Sequence, residues 1–227
     1  MNTTLTEIKL PKMLLPFAML YLTIMLICAV TAHKTVEIHG YTTAAAALVI
    51  PFWFILSDII AEIYGFKIAR QLLWLGLLFQ GIFAIACLFL IHLHSPSSWS
   101  YQADYELVLG GLLRLTLSIF IAVIIAGYLN IRLLTKWKFL LKGKYFWLRS
   151  IGASGIGETI YSIIASVLIF YGTMNLHALI IFTILALLCK IIYTIIFAYP
   201  ATLLTYWLQK LEGFEISDYS QMNPLRH

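Results

Sequence analysis

The chain has 227 residues, of which 62% are hydrophobic and only 11% are charged. A water-soluble domain carries about 25% charged residues, so this composition excludes an ordinary soluble protein. The formal net charge is +5, but the sequence holds no nucleotide-binding loop and no recognised nucleic-acid-binding motif. We therefore expect an integral membrane protein that has no nucleic-acid partner.

The hydrophobic residues fall in blocks of about 20, which is the length of a helix that crosses a bilayer. Backbone groups in lipid must be hydrogen-bonded within their own segment, so these blocks predict α-helices. The sequence predicts an all-α polytopic membrane protein, with residues 1–227 forming a single domain of six transmembrane helices. The predicted spans are about 14–33, 42–64, 70–92, 109–131, 150–171 and 178–208.

Arginine and lysine separate by side of the membrane. Twelve of them lie in the N-terminal segment, the second and fourth connections and the tail, whereas the opposite side has only Lys34. The positive-inside rule then predicts that both termini are cytoplasmic. We expect a multi-pass protein of the bacterial inner membrane. Its first and last three spans would form a 3+3 inverted repeat, because each half holds an odd number of spans.

The second span ends in the segment PFWFILSDIIAEIYGFKIAR, which places Asp58 well inside the apolar run. A charge at this depth costs roughly 3 kcal/mol on insertion scales, so Asp58 needs a partner elsewhere in the chain. Glu62 shares its helix face but lies nearer the cytoplasmic end. We expect Glu62 to be a helix-end charge that Lys67 or Arg70 neutralises.

Two later spans supply further buried charges. Glu158 follows a glycine-rich segment in the fifth span, and Lys190 lies near the middle of the sixth. We predict that Asp58, Glu158 and Lys190 form an inward-facing cluster around a water-accessible cavity, because charges within a membrane must pair or face water. The alternative is a salt-bridge cluster that only holds helices together. Arg114, near the external start of the fourth span, would snorkel or act as a gate.

Enzymatic and metal-binding roles have weaker support. Ser154 lies in a GASG segment that resembles the serine motif of rhomboid proteases, but His177 precedes the last span on the wrong side of the membrane. His92 and His94 have no third ligand nearby and suit an interfacial position better than a metal site. We expect no catalytic residue, no cofactor and no metal.

Three segments carry a resemblance to a known family: PFWFILSDIIAEIYGFKIAR, GIGETIYS and CKIIYTIIFAYPATLL. They resemble the signature regions of the VUT/YhhQ family of queuosine-precursor transporters, and the likeness runs over nearly the whole chain. Two positions depart from the family pattern. Glu158 stands where many relatives have aspartate, and Gln71 follows Arg70 instead of a second arginine. The resemblance implies transport of 7-deazaguanine bases: the 7-cyano and 7-aminomethyl forms, or queuine.

The buried residues suit such a base. Its N1–H and N2 amine are adjacent donors that one carboxylate, of Asp58 or Glu158, can accept together. Lys190 would donate to O6, and aromatic side chains would stack on the ring, a contact worth about 1–3 kcal/mol per base. The predicted substrate-binding residues are Trp53, Phe54, Ser57, Asp58, Ser154, Gly155, Gly157, Glu158, Tyr161, Lys190 and Tyr193.

Two other assignments stay open. The protein could instead carry a vitamin or another small molecule, either alone or as a membrane subunit that docks on a separate ATPase. The small residues of the fifth span would also permit a homodimer.

Overall fold

The computed structural model describes residues 11–32, 34–38, 41–96, 98–172 and 175–212, and the side chains of residues 38, 41 and 42 are outside the description. Its elements, in chain order, are α1 (Leu14–Thr31), β1 (Thr35–Ile38), β2 (Tyr41–Ala44), α2 (Ala46–Ile91), α3 (Gln102–Leu109), α4 (Leu112–Leu140), α5 (Phe146–Phe170) and α6 (Leu176–Glu212). Five helical stretches are long and apolar enough to cross a membrane, with α3 and α4 counted as one of them. The prediction of a helical polytopic membrane protein is confirmed.

A short β-hairpin between α1 and α2 departs from the all-helical prediction. Its strands pair antiparallel, with Thr35 opposite Ala44 and Val36 opposite Thr43. Thr35, Val36 and Thr43 are β-branched, and such residues favour the extended backbone of a strand. As a result α2 begins at Ala46, later than the predicted start of the second span at residue 42.

The other helix ends also differ from the predicted spans. α4 continues to Leu140 instead of ending near residue 131, and α5 begins at Phe146 instead of residue 150. α6 runs from Leu176 to Glu212. These helices carry polar residues at their ends, which a hydropathy pattern alone assigns to the connections.

α2 is broken at Gly65, whose backbone angles (φ 84°, ψ 171°) lie in a region that is essentially restricted to glycine. We call residues 46–64 its first arm and residues 66–91 its second arm. A β-carbon added at Gly127 of α4 would lie 2.9 Å from Leu73 in the second arm and 3.0 Å from Trp53 in the first. Residues twenty apart on a straight helix would be separated by about 30 Å. The two arms therefore fold back beside each other.

The first arm is the centre of the protein. Every residue from Trp53 to Gly65 is buried, whereas a helix at the surface would expose one face. α1 packs on one side, where the Tyr21 ring lies 5.4 Å from that of Trp53. On the α5 side, a β-carbon added at Gly157 would lie 3.1 Å from the Phe54 ring. This enclosure determines that the polar residues of the first arm are cut off from solvent.

We predict that Gly65→Ala destabilises the fold by about 1–3 kcal/mol, because a β-carbon is disfavoured at this backbone conformation. Gly155→Ala is the matched control, since nothing lies within 4 Å of a β-carbon added there. Thermal denaturation of the two purified variants in detergent is the measurement. Equal midpoints for the two variants would contradict a glycine requirement at the break.

Candidate functional site

A line of buried polar side chains runs along one face of α5. Its members are separated by four residues each, the spacing that keeps side chains on the same helix face. We call it the α5 polar stripe, and it consists of Ser150, Ser154, Glu158, Ser162 and Ser166, all of which are buried. Polar partners from the first arm of α2, from α4 and from α6 meet this stripe at successive levels.

Asp58, which is 1% exposed, is held by neutral donors only. The Asn130 amide donates to Oδ1 at 2.7 Å. The hydroxyls of Ser150 and Ser154 both donate to Oδ2, the latter at 2.8 Å. Among the described residues no cation forms an ion pair with this carboxylate. The sequence predicted that Asp58 has a partner elsewhere in the chain. That partner is a set of three hydrogen-bond donors on α4 and α5.

Glu62, one helical turn away, is held by cations instead. Arg149 makes a two-pronged contact, with Nη1 at 2.9 Å from Oε2 and Nη2 at 3.0 Å from Oε1. Lys138 lies 3.6 Å from Oε1 and also donates to the backbone carbonyl of Glu62. The prediction that Lys67 or Arg70 neutralises Glu62 is wrong. Both lie in the second arm of α2, which turns away at the break, and both are exposed.

Glu158 follows Ser154 by one turn in the α5 polar stripe. Lys190 lies on α6 and bonds to the stripe at Ser162. Thr194 donates to Oε1 of Glu158 at 2.7 Å, and Oε2 has no hydrogen-bond partner among the described residues although it is fully buried. The Lys190 ammonium donates to Ser162 at 2.9 Å and lies 4.8 Å from the centre of the Tyr161 ring. One carboxylate oxygen is therefore left available for a further donor.

The three predicted ionisable residues are close together but do not form salt bridges with one another. Glu158 interacts electrostatically with both Lys190 and Asp58, yet the described residues contain no ion pair among these three. Each charge is held by its own hydroxyl or amide partners. A cluster that served only to fasten helices would pair its charges directly, as Glu62 and Arg149 do.

A cavity of about 50 Å³ lies between α1, the first arm of α2, α5 and α6. Its polar lining consists of Tyr161, Ser162, Ser166 and Lys190, and the other lining side chains are mostly apolar. A space of this size holds one or a few water molecules. It is smaller than a bicyclic base, so a base-sized ligand requires the surrounding helices to separate.

Several predicted residues pack against each other instead of lining this cavity. Trp53 and Phe54 are buried and meet edge to face with ring centres 4.8 Å apart. Phe54 in turn contacts the Tyr161 ring edge to face at 6.2 Å. A β-carbon at Gly157 would lie 3.1 Å from Phe54 and from Asn130, so the absence of a side chain there permits close helix packing.

The remaining candidates lie at the edges of the cluster. Ser57 is buried beside Asp58 in the chain. Gly155 faces open space on the outer side of α5. Tyr193 stacks on Phe197 at the boundary between α2 and α6, with ring centres 6.2 Å apart, and it does not line the cavity.

Arg114 has a role at a helix end. Its guanidinium donates to the carbonyl of Tyr171 at 2.8 Å and lies 3.4 Å from that of Leu168. The last carbonyls of a helix have no partners within the helix, and a cation stabilises them. Arg114 thus caps the C-terminus of α5. This contact accounts for its position without a role as a gate.

Asn130 and Ser150 were not among the predicted site residues, although both bond to Asp58. Asn130 is an amide among mostly apolar residues of α4. Because buried amides need hydrogen-bond partners, its position in the sequence indicates a buried polar contact. Ser150 lies one turn before Ser154 and continues the four-residue spacing of the stripe. On α6, Thr194 lies one turn after Lys190, and this spacing likewise indicates that it shares the buried polar face of its helix.

We predict that Arg149→Gln destabilises the protein by about 3–5 kcal/mol, because it leaves a buried carboxylate with one of its two cations. Arg70→Gln is the control, since Arg70 is exposed and forms no ion pair among the described residues. Unfolding of the purified variants in detergent measures both changes. The double variant Arg149→Gln/Glu62→Gln should lose less stability than the sum of the two single losses. A double loss equal to that sum would contradict the pairing.

Comparison with known proteins assigns the chain to a family. Residues 44–206 match the family model described as "Putative vitamin uptake transporter". The comparisons with curated proteins and with solved structures give no match. The matched residues extend from the end of β2 into α6, and they contain the whole α5 polar stripe together with its partners. The chain therefore belongs to this family of uptake transporters, in agreement with the VUT/YhhQ resemblance of its three sequence segments.

Proposed function

We propose that the protein imports queuosine precursors across the bacterial inner membrane. The cargo would be 7-cyano- and 7-aminomethyl-7-deazaguanine, and queuine. The observation that carries this proposal is the buried carboxylate of Glu158, of which one oxygen has no hydrogen-bond partner among the described residues. Glu158 interacts electrostatically with Lys190, and the Lys190 ammonium lies 4.8 Å from the centre of the Tyr161 ring. These three groups match the donor edge, the acceptor O6 and the flat face of a guanine-like base.

Glu158 is the better of the two candidate acids for the base. Both oxygens of Asp58 already accept hydrogen bonds, whereas Oε2 of Glu158 accepts none from the described residues. A carboxylate that receives N1–H and the N2 amine makes a charge-assisted contact in two places. Thr194 would release Oε1 when the base binds.

Lys190 and Tyr161 would complete the recognition. Lys190 can rotate from Ser162 to donate to O6, and the face of Tyr161 can stack on the base in place of the ammonium. Trp53, Phe54 and Gly157 would support this site from behind, because Phe54 fixes the edge of Tyr161.

The base must enter by widening of the 50 Å³ cavity. Small residues, Ala32, Ala44, Ala46 and Ala47, line it near the β-hairpin. Their side chains obstruct little space, so a separation of α5 and α6 would open a route from the hairpin side. Serine and threonine partners can exchange hydrogen bonds during this movement without leaving an unpaired charge.

The two arms of α2 support six membrane crossings. They are about 28 Å and 39 Å long at 1.5 Å per residue, so the first is close to the thickness of a hydrocarbon layer of about 30 Å and the second exceeds it. The β-hairpin and the 92–111 segment would then share one side, and the chain termini would share the cytoplasmic side. The middle crossings of the two halves carry Asp58 and Glu158, as a 3+3 inverted repeat would arrange them.

Cysteine labelling of intact spheroplasts tests this topology. In a variant without the native cysteines, Lys34→Cys and His94→Cys should react with a membrane-impermeant maleimide from outside. Lys67→Cys, which follows the break in α2, should react only after the membrane is permeabilised. Labelling of Lys67→Cys and His94→Cys from the same side would contradict the double crossing.

We predict that Glu158→Gln abolishes uptake, because the amide replaces a charged acceptor with a group that can offer only one acceptor oxygen. The measurement is queuosine in tRNA of cells that cannot make the precursor and receive it in the medium. Glu106→Gln on exposed α3 is the matched control and should behave as the wild type. Normal queuosine levels with Glu158→Gln protein would refute the assigned role.

A second candidate function is uptake of a vitamin, which the description of the family names. It would use the same cavity, either in a free-standing carrier or in a subunit that docks on a separate ATPase. Binding of purified protein to a panel of deazaguanines, guanine and vitamins distinguishes the cargoes. Co-purification with an ATPase would favour the docking subunit.

A further inference from the structure

We propose that Asp58 is a proton-binding site whose loading is coupled to uptake, and that the α5 polar stripe connects it to the cavity. The identity of the transported base is taken from the proposed function. The proton site is inferred from the hydrogen bonds of Asp58, so either proposal can be refuted without the other.

The partners of Asp58 can stabilise either form of its carboxyl group. A serine hydroxyl has one hydrogen to donate and two lone pairs that accept, and it can rotate between these uses. When the carboxylate is ionised, Ser150 and Ser154 donate to Oδ2 as they do in this structure. When Oδ2 carries a proton, either hydroxyl can accept it while the Asn130 amide still donates to Oδ1.

Glu62 provides the contrast within the same helix. Arg149 and Lys138 have donors but no acceptor, so they can only stabilise an ionised carboxylate. The chain thus places an acid that is held by cations and an acid that is held by neutral groups one helical turn apart.

The charged groups around Asp58 come from every helix that packs on the first arm of α2 except α1. Glu62 on α2 and Glu158 on α5 interact with Asp58 directly, whereas Lys138 on α4 and Arg149 on α5 pair with Glu62. α6 contributes Lys190, which interacts with Glu158.

The helix α1 has no charged residue, and its titratable groups are Tyr21 and Cys28.

The α5 polar stripe offers the route to the cavity. Ser162 and Ser166 line the cavity, Glu158 lies one turn before Ser162, and Ser154 and Ser150 bond to Asp58. Successive members rise by about 6 Å along the helix, so one water between neighbours would complete each step.

A proton would enter with the base from the cavity side and leave on the opposite side after the helices rearrange. One proton and one neutral base then move inward together, with one net positive charge.

Proteoliposomes that contain the purified protein test the coupling with radiolabelled 7-cyano-7-deazaguanine. An inward proton gradient should raise accumulation by about tenfold per pH unit if one proton accompanies each base. In Asp58→Asn protein, the ratio of accumulation with the gradient to accumulation without it should fall to one. Asp104→Asn is the matched control on exposed α3 and should respond as the wild type. Gradient-independent uptake by the wild type, or a gradient response of Asp58→Asn, would overturn the proposal.

A second measurement needs no substrate and no change at Asp58. The chain has three aspartates, at positions 58, 104 and 218. In protein labelled with ¹³C-aspartate, Asp104→Asn/Asp218→Asn leaves Asp58 as the sole labelled carboxyl. Its infrared acid band should appear and disappear reversibly with pH, and Ser150→Ala/Ser154→Ala should shift that transition. A carboxyl band that does not change with pH overturns the proton site. Absence of base uptake with a titrating band would refute the proposed cargo instead.

Discussion

The fold depends on the complete enclosure of the first arm of α2. Its residues from Trp53 to Tyr64 are all buried, yet two of them are acids. In lipid and in a packed helical core alike, a carboxylate without partners is costly. The positions of α4 and α5 around this arm are therefore restricted to those that bring donors to Asp58 and Glu62.

The two acids are satisfied in different ways, and this difference separates structure from function. Glu62 receives a planar guanidinium and an ammonium, an arrangement that ties the first arm to the ends of α4 and α5. Asp58 and Glu158 receive hydroxyl and amide groups, which can be exchanged at small cost. A carrier needs both kinds of contact, because some parts must remain fixed while the ligand site changes partners.

Close packing makes this arrangement feasible. Glycines at the helix contacts let large rings fill the space between backbones, as Trp53 does against Gly127 and Phe54 against Gly157. The aromatic side chains predicted to stack on a base serve mainly as this packing, with Tyr161 alone among them lining the cavity. Tyr161 thereby links the rigid core to the space where a ligand would lie.

The sequence by itself determined the membrane class, the helical architecture and three of the buried charges, Asp58, Glu158 and Lys190. The burial of Glu62, Lys138 and Arg149 was not predicted. Each predicted feature depends on local composition and on the cost of transferring a group into lipid, which a single segment reveals. Even the family was readable, because its motifs are contiguous.

Which donor meets which acid was decided by the tertiary structure alone. Asn130, Ser150 and Arg149 lie far from Asp58 and Glu62 in the chain, and many helix arrangements could satisfy the same charges. The break at Gly65 illustrates the same limit. A glycine among apolar residues is compatible with a continuous helix, and only the packing of Trp53 and Leu73 on one side of α4 requires the chain to turn back there.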